Sequence, residues 1–244
     1  KLIFNKNKHM DLYTEINKGK GYAIFDIENM KLFKKIRQTF VTSINLPGNR
    51  KKEINDVRKF LAKKSKAEIN KAMINFFDFN NSLSEMMINS CPKLIKSICG
   101  KELFIQRRAH TTINVPGDDQ AKQVPHYEMI SGVSPFTYIM WAPLHDLDDD
   151  GGAYHVDLKT SLSLMKKEEA EGLVNGPKVL NLMGSRKPPR LKFGQAIIFT
   201  PFVLHGNIPF NSNLARIACN VRFQSFNKPL LQKNSEYLKY YNLS

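Results

Sequence analysis

Residues 123–132, QVPHYEMISG, hold a histidine and a glutamate two positions apart, His126 and Glu128. In extended chain, residues two apart point to the same side, so the imidazole and the carboxylate can converge on one point. H-x-E is short enough to arise by accident. A third candidate is His205, at the end of the strand-like run FTPFVLHGN, though a lone histidine there also suits a buried structural role. Two imidazoles and one carboxylate can occupy one face of an octahedron and leave three positions open, the facial arrangement that suits Fe(II). These are ligands of intermediate to hard character. Their single negative charge leaves the metal positive enough to take an anionic co-substrate and O2. Cys91, Cys99 and Cys219 do not stand at ligand spacing.

Arg216 follows His205 by eleven residues, in ARIACNVRFQ. Read as a strand, this run puts Arg216, Ala218, Asn220, Arg222 and Gln224 on one face and Ile217, Cys219, Val221 and Phe223 on the other. A polar face with two arginines inside a β domain needs anions, and a guanidinium can grip a carboxylate through two parallel hydrogen bonds. The far carboxylate of 2-oxoglutarate would be such an anion. Arg222 has two open roles, a substrate contact or a partner for an acid in the wall. His145 and His155 flank DLDDDGGAY and can reach substrate or hold a hydrogen-bonded structural place, with the second favoured. His110, in RRAHTTIN, reads as structural. DLDDDGG lacks the spacing of an EF-hand loop and reads as a solvated turn. Arg186 and Arg190, in SRKPPRLK, are candidate substrate contacts if their loop closes over the site.

These side chains need a scaffold, and 244 residues are ample for one domain with its own core. The first hundred residues read as mostly helical. A helix is expected over 30–41 (Leu32, Phe33, Ile36, Phe40) and a longer one over 52–77 (Ile54, Val57, Phe60, Leu61, Ile69, Met73, Phe76). A short helix over 90–100 has Pro92 in its first turn and Gly100 as its stop. GYAIFDI (21–27) reads as an early strand. From about residue 101, β-rich runs separated by turns appear at 103–115, 136–144, 195–204 and 215–226. This pattern predicts antiparallel sheets in a sandwich or jelly roll, not a βαβ repeat. The connection 158–193 is long, with a helix expected over 162–173. The division expected is a helical buttress over 1–100, a β core over 101–230 and a tail over 231–244, all one domain.

Composition bounds the rest. Three cysteines without framework spacing point to a reduced, cytoplasmic compartment. The opening KLIFNKNKHMDLY has no long apolar stretch, so no signal peptide is expected there, and no run approaches a membrane span. The net charge of +15 admits an anionic or phosphorylated partner. In 50–71, however, basic residues alternate with acids at helical spacing, which suits a solvated helix face. Aromatics do not interleave with the basic runs, which argues against nucleic acid.

H-x-E, a histidine 77 residues after the glutamate and an arginine eleven further on resemble the Fe(II)/2-oxoglutarate-dependent oxygenases. GYAIFDI, WAPLHDLDDDGG and GQAIIFTPFVLHGN are similar to their phytanoyl-CoA dioxygenase-like branch. GVSPFTYIMWAPL and HGNIPFNSNLARIACNVRFQSF are closest to the sporadic carbohydrate cluster 2-oxoglutarate–Fe(II) oxygenases. The resemblance covers residues 103–226 well and the helical part loosely. It implies a mainly β fold, a double-stranded β-helix (a cupin-like jelly roll) buttressed by N-terminal helices. It implies iron on His126, Glu128 and His205 and 2-oxoglutarate on Arg216, with Trp141, Asn207 and Asn114 as further co-substrate contacts. Most of the branch has Asp where Glu128 stands; a carboxylate there still argues against a halogenase. With Fe(II), 2-oxoglutarate and O2, the activity implied is hydroxylation of an unactivated C–H bond in a small polar metabolite, a sugar or nucleotide-linked sugar of carbohydrate or cell-envelope biosynthesis. An amino acid or natural-product intermediate is the alternative substrate, and a non-catalytic metal- or sugar-binding jelly-roll module the alternative class.

Overall fold

The computed structural model describes residues 6–47, 52–79, 82–116, 125–147, 153–170, 188–207, 212–231 and 237–243. The helices are α1 (Lys6–Asn17), α2 (Met30–Ser43), α3 (Ile54–Leu61), α4 (Lys66–Phe79), α5 (Leu83–Asn89), α6 (Pro92–Cys99) and α7 (Leu158–Ala170). The strands are β1 (Tyr22–Asp26), β2 (Glu102–Gln106), β3 (His110–Asn114), β4 (Tyr138–Pro143), β5 (Ala153–His155), β6 (Gln195–Phe199), β7 (His205–Asn207), β8 (Arg216–Ser225) and β9 (Leu238–Asn242). The main sheet runs β1-β6-β4-β8-β2-β9, with β3 also on β8, and every pairing is antiparallel. A second sheet pairs β5 with β7. The protein is thus mainly antiparallel β with helices, and among the described residues the main sheet does not close on itself.

Alternation along the central strands sorts the core into two. Met140, Ala142, Ala196, Ile198, Ile217, Cys219, Val221 and Phe223 face the helices and pack with Phe33, Ile36, Phe40, Val57, Leu61 and Phe76. Ile139, Trp141, Ile197, Phe199 and Ala218 face the other way, toward Leu147, Leu191 and Val203. The period of two that gives β8 its polar face therefore directs that face away from the helices.

Several boundaries differ from the sequence reading. The helix expected over 52–77 is two, α3 and α4. Ser65 and Glu68 cap the second: the Ser65 amide donates to Glu68 Oε2 at 2.9 Å and the Glu68 amide reaches Ser65 Oγ at 3.4 Å, a capping box that ends one helical run and starts another. The run 103–115 is likewise two strands. β2 lies along Leu103↔Ser225 to Ile105↔Phe223 and β3 along His110↔Asn220 to Asn114↔Arg216. Between them the Arg222 amide donates to the Gln106 side-chain oxygen at 3.0 Å, so the break leaves that buried donor satisfied. Residues 238–242, expected as tail, form β9 on the outer edge of β2, where Lys239 pairs with Glu85 of α5. The helix expected over 162–173 begins earlier, at Leu158.

Two tethers fix the start of β8. Arg58 of α3 donates from Nε to the Ala215 carbonyl at 2.9 Å, and the Ala215 amide donates to the Arg58 carbonyl at 3.2 Å. Arg216 is thus held from the residue before it. No helix among the described residues is long and apolar enough to cross a membrane.

Candidate metal centre

His205 opens β7, and His126 forms an isolated antiparallel bridge with it. The bridge is reciprocal: the His126 amide donates to the His205 carbonyl at 2.9 Å, and the His205 amide to the His126 carbonyl at 3.1 Å. Side chains of such a directly opposed pair share a face, and the two rings lie 4.3 Å apart between centroids. Glu128 arrives differently from the expectation. The strand-like chain ends at Tyr127 (φ −104°, ψ 139°), and Glu128 begins a 3-10 turn, Glu128–Ser131. One extended residue between His126 and the turn suffices to return the carboxylate to the imidazoles. His126, Glu128 and His205 each offer an atom, all within 4.8 Å of one another.

The supporting contacts orient these atoms. His205 Nδ1 donates to the Val203 carbonyl at 3.0 Å, which turns Nε2 toward Glu128. That Nε2 lies 3.6 Å from Glu128 Oε1. The other oxygen, Oε2, takes two bonds from Arg222, from Nε at 3.0 Å and Nη2 at 2.7 Å. Burial pushes the Glu128 carboxyl up, but His205 and the Arg222 charge outweigh it and hold the group at about 2. The carboxylate is charged, anchored through one oxygen and directed at the imidazoles through the other. Arg222 thus pairs with an acid of the wall, and it also lines the adjoining cavity.

A cavity of about 210 Å³ adjoins these atoms. Trp141 and Asn207 line it, together with Phe199, Thr112, His110 and Asn220. Arg216 adjoins it through Trp141, its guanidinium carbon 5.9 Å from the indole centroid. It is 2% exposed, and its Nη2 donates to Asn114 Oδ1 at 2.5 Å. Burial lowers its pKa to about 10, so it stays charged at neutral pH. The register explains the grouping: Asn114 lies opposite Arg216 on β3, and Trp141 opposite Asn220 on β4.

Not every candidate joins the site. Of the two roles open to His145, the substrate contact is not the one its nitrogens serve. Its Nδ1 donates to the Asp146 carbonyl at 2.7 Å, and its Nε2 accepts the Ile217 amide at 3.1 Å. Both nitrogens serve the backbone beside β8. Arg190 is exposed and is not among the residues lining the cavity. Arg186, like most of DLDDDGG, lies outside the described residues.

His155, for which the same two roles were open, lines the cavity. It stands opposite His205 in the β5–β7 pair, the rings nearly parallel (11°) at 5.6 Å. Phe199 meets its ring edge-on at 4.7 Å. Burial, reinforced by the neighbouring His205, holds it well below the ordinary histidine value, and the Ala153 backbone offsets this only in part. Neither ring nitrogen has a partner at hydrogen-bonding geometry among the described residues, and Asn220 Oδ1 is in the same position. Sequence showed Asn220 on the polar face of β8 and left both roles open to His155, whose place depends on the pairing of two three-residue strands.

The three ligand atoms are of the nitrogen and oxygen character that suits Fe(II). The buried carboxylate, held by Arg222 through Oε2 and facing the imidazoles through Oε1, fits a cation at that point. No protein-family model matches the chain, and no curated protein does. Solved structures do match. SnoN, a non-heme alpha-ketoglutarate-dependent epimerase from nogalamycin biosynthesis, is similar with a TM-score of 0.53 and 10% identity, over 90% of this chain and 83% of that one. SnoN is also known in complex with Fe3+, alpha-ketoglutarate and nogalamycin RO. EctD from S. alaskensis with bound Fe matches with a TM-score of 0.51 and 12% identity, over 89% and 77% of the two chains. AviO1 from Streptomyces viridochromogenes Tue57 matches with a TM-score of 0.51 and 11% identity, over 91% and 96%. At these identities the likeness is one of fold.

Proposed function

We propose that this chain is an Fe(II)- and 2-oxoglutarate-dependent oxygenase acting on a C–H bond of a small polar metabolite. The observation that carries the reading is the convergence of His126, Glu128 and His205, with ligand atoms within 4.8 Å, at the wall of a cavity. The fold shared with SnoN and EctD supports it, as do the sequence motifs of the phytanoyl-CoA dioxygenase-like branch and its sporadic carbohydrate cluster members. On this reading the two sheets are parts of a double-stranded β-helix, and residues 1–244 form one domain with a helical buttress.

Iron, 2-oxoglutarate and O2 together supply the oxidising power, with succinate and CO2 released and a hydroxyl placed on the substrate. The chain's own residues do the positioning. His126 and His205 present neutral nitrogens, and the Val203 carbonyl keeps His205 Nε2 turned toward Glu128. Arg222 retains Glu128 Oε2, so Oε1 is the oxygen offered to the metal. Arg216 takes the far carboxylate of 2-oxoglutarate, with Asn114 orienting the guanidinium and Trp141 and Asn207 bounding the pocket. Buried walls exclude water, which strengthens each of these polar contacts. At about 210 Å³ the cavity is smaller than a typical ligand site, so it fits the reacting portion of a sugar-sized substrate.

The test is turnover of 2-oxoglutarate to succinate by the purified protein with Fe(II), followed by a mass-spectrometric search for a +16 product among sugars, nucleotide sugars and amino acids. Succinate release that requires Fe(II) and is lost in His205→Ala supports the reading. Absence of release across the panel, with metal bound, would leave a non-catalytic metal-binding module.

A further inference from the structure

We infer that the rim of the metal cavity is a subsite for an acidic group of the substrate, a carboxylate or phosphate, held by the outer edge of the Arg222 guanidinium beside His110. The inference rests on the oxygenase reading and adds to it the charge of the substrate.

β3 and β8 grade the cavity by depth. Their register opposes Asn114 to Arg216, Thr112 to Ala218 and His110 to Asn220, and opposed side chains share a face. The deep end is closed, with Arg216 2% and Asn114 6% exposed. Thr112 and Asn220 are partly buried, and His110 is exposed. Arg222 follows Asn220 on the same face of β8 and lines the cavity with His110, Thr112 and Asn220. With the far carboxylate of 2-oxoglutarate at Arg216, the end left for the substrate is the one at His110 and Arg222.

The ion pair at that end turns its positive partner outward. The Glu128 side chain is 5% exposed and that of Arg222 21%. Glu128 Oε2 takes Nε and Nη2, along one edge of the guanidinium. A guanidinium has five N–H groups in a planar fork, so both on Nη1 and the second on Nη2 remain. None of these has a partner among the described residues, and Nη1 is not closed off as Arg216 Nε is. One N–H from Nη1 and one from Nη2 run parallel at the end of the fork, matching two oxygens on one carbon or phosphorus. The field at the rim agrees. Partial desolvation and then the Arg222 charge lower the His110 pKa, and Glu128 offsets them less. Arg107 and Arg108, in the turn just before His110, are exposed and have no ion pair among the described residues. An ammonium would be repelled here, and a hydroxyl would leave the charge unmet. An oxyanion answers both the free donors and the positive rim. His110 adds an N–H in either protonation state.

The full chain carrying Zn(II) and 2-oxoglutarate is titrated calorimetrically with three sugars that differ at carbon 6: D-glucose, D-glucuronate and D-glucose 6-phosphate. Arg222 also holds Glu128, so the rim is read through the exposed His110. At least one acidic sugar should bind about tenfold more tightly than D-glucose, and the tighter of the two identifies the group. His110→Gln, which keeps a donor, should retain that preference within about threefold. His110→Glu, whose carboxylate would compete for the Arg222 edge, should reduce it to under about twofold. No preference for either acidic sugar overturns the inference. So does a preference unchanged in His110→Glu, which would put the acid on the zinc or at Arg216. Zinc is read separately: if His126→Ala binds it as tightly as wild type, the oxygenase reading fails on its own account, and the sugars are compared on the metal-free protein.

Discussion

Arg222→Met should destabilise the metal-free protein by about 3 kcal/mol. The substitution keeps most of the side-chain stem but removes the two donors, at 3.0 and 2.7 Å, from Glu128 Oε2. Breaking a fully buried pair by removing one partner typically costs about 3–5 kcal/mol, because a desolvated charge is left behind. Here the Glu128 side chain is 5% exposed, but that of Arg222 is 21%. Water already reaches the Arg222 side, so the lower end applies. The register of β8 should survive, since the Gln106 contact uses the Arg222 backbone amide. Urea unfolding of wild type and variant measures the difference. A divalent cation such as Co(II) should recover part of the loss, because it replaces one positive neighbour of the carboxylate with another. Arg222→Lys should fall between, with charge but no fork. The pH dependence follows from the same group. Its folded pKa, about 2, lies below the ordinary glutamate value of about 4.3. Its contribution is therefore complete above about pH 4.3 and is lost as pH falls toward 2, and this acid-side loss should be smaller in Arg222→Met. A metal-free stability change under about 1 kcal/mol, the level of an exposed pair, would refute the reasoning.

Other outcomes test other parts of the molecule. His126→Ala, His205→Ala and Glu128→Gln should each weaken Co(II) binding, followed by visible absorption, by more than the roughly 10–100-fold typical of losing an outer partner. Arg216→Met should weaken 2-oxoglutarate binding by about two orders of magnitude, read by fluorescence of the single tryptophan, Trp141, on the cavity wall with Zn(II) present. An unchanged titration curve would remove Arg216 from the co-substrate site. Burial raises the thiols of Cys91, Cys99 and Cys219 to about 12, so thiolate reagents should label the native protein negligibly and all three sites after unfolding.

The ligand triad was legible in the sequence because it needs only three residue types and their order. The polar face of β8 was legible because a period of two survives in a ten-residue strand. The break between α3 and α4 carried a signal as well, S-x-x-E at Ser65–Glu68, but the apolar stripe continues across it and masks it. The partner of Arg222 had no local signal, since Glu128 is 94 residues away. The same holds for β9, a short strand completed by pairing with β2. The turn at Glu128 was hidden because one extended residue and a 3-10 start bring the carboxylate round as well as a strand would. Where a placement depends on long-range pairing, periodicity cannot supply it.

The reciprocal backbone bridge between His126 and His205 gives the centre a kinetic signature. Each amide proton is sealed by the other residue's carbonyl, so neither can exchange with solvent deuterium unless both strands part. The two should exchange at one common rate, set by a single local opening. A bound ion would pin the side chains of both strands together and slow that opening, making deuterium uptake at these two positions a direct gauge of occupancy.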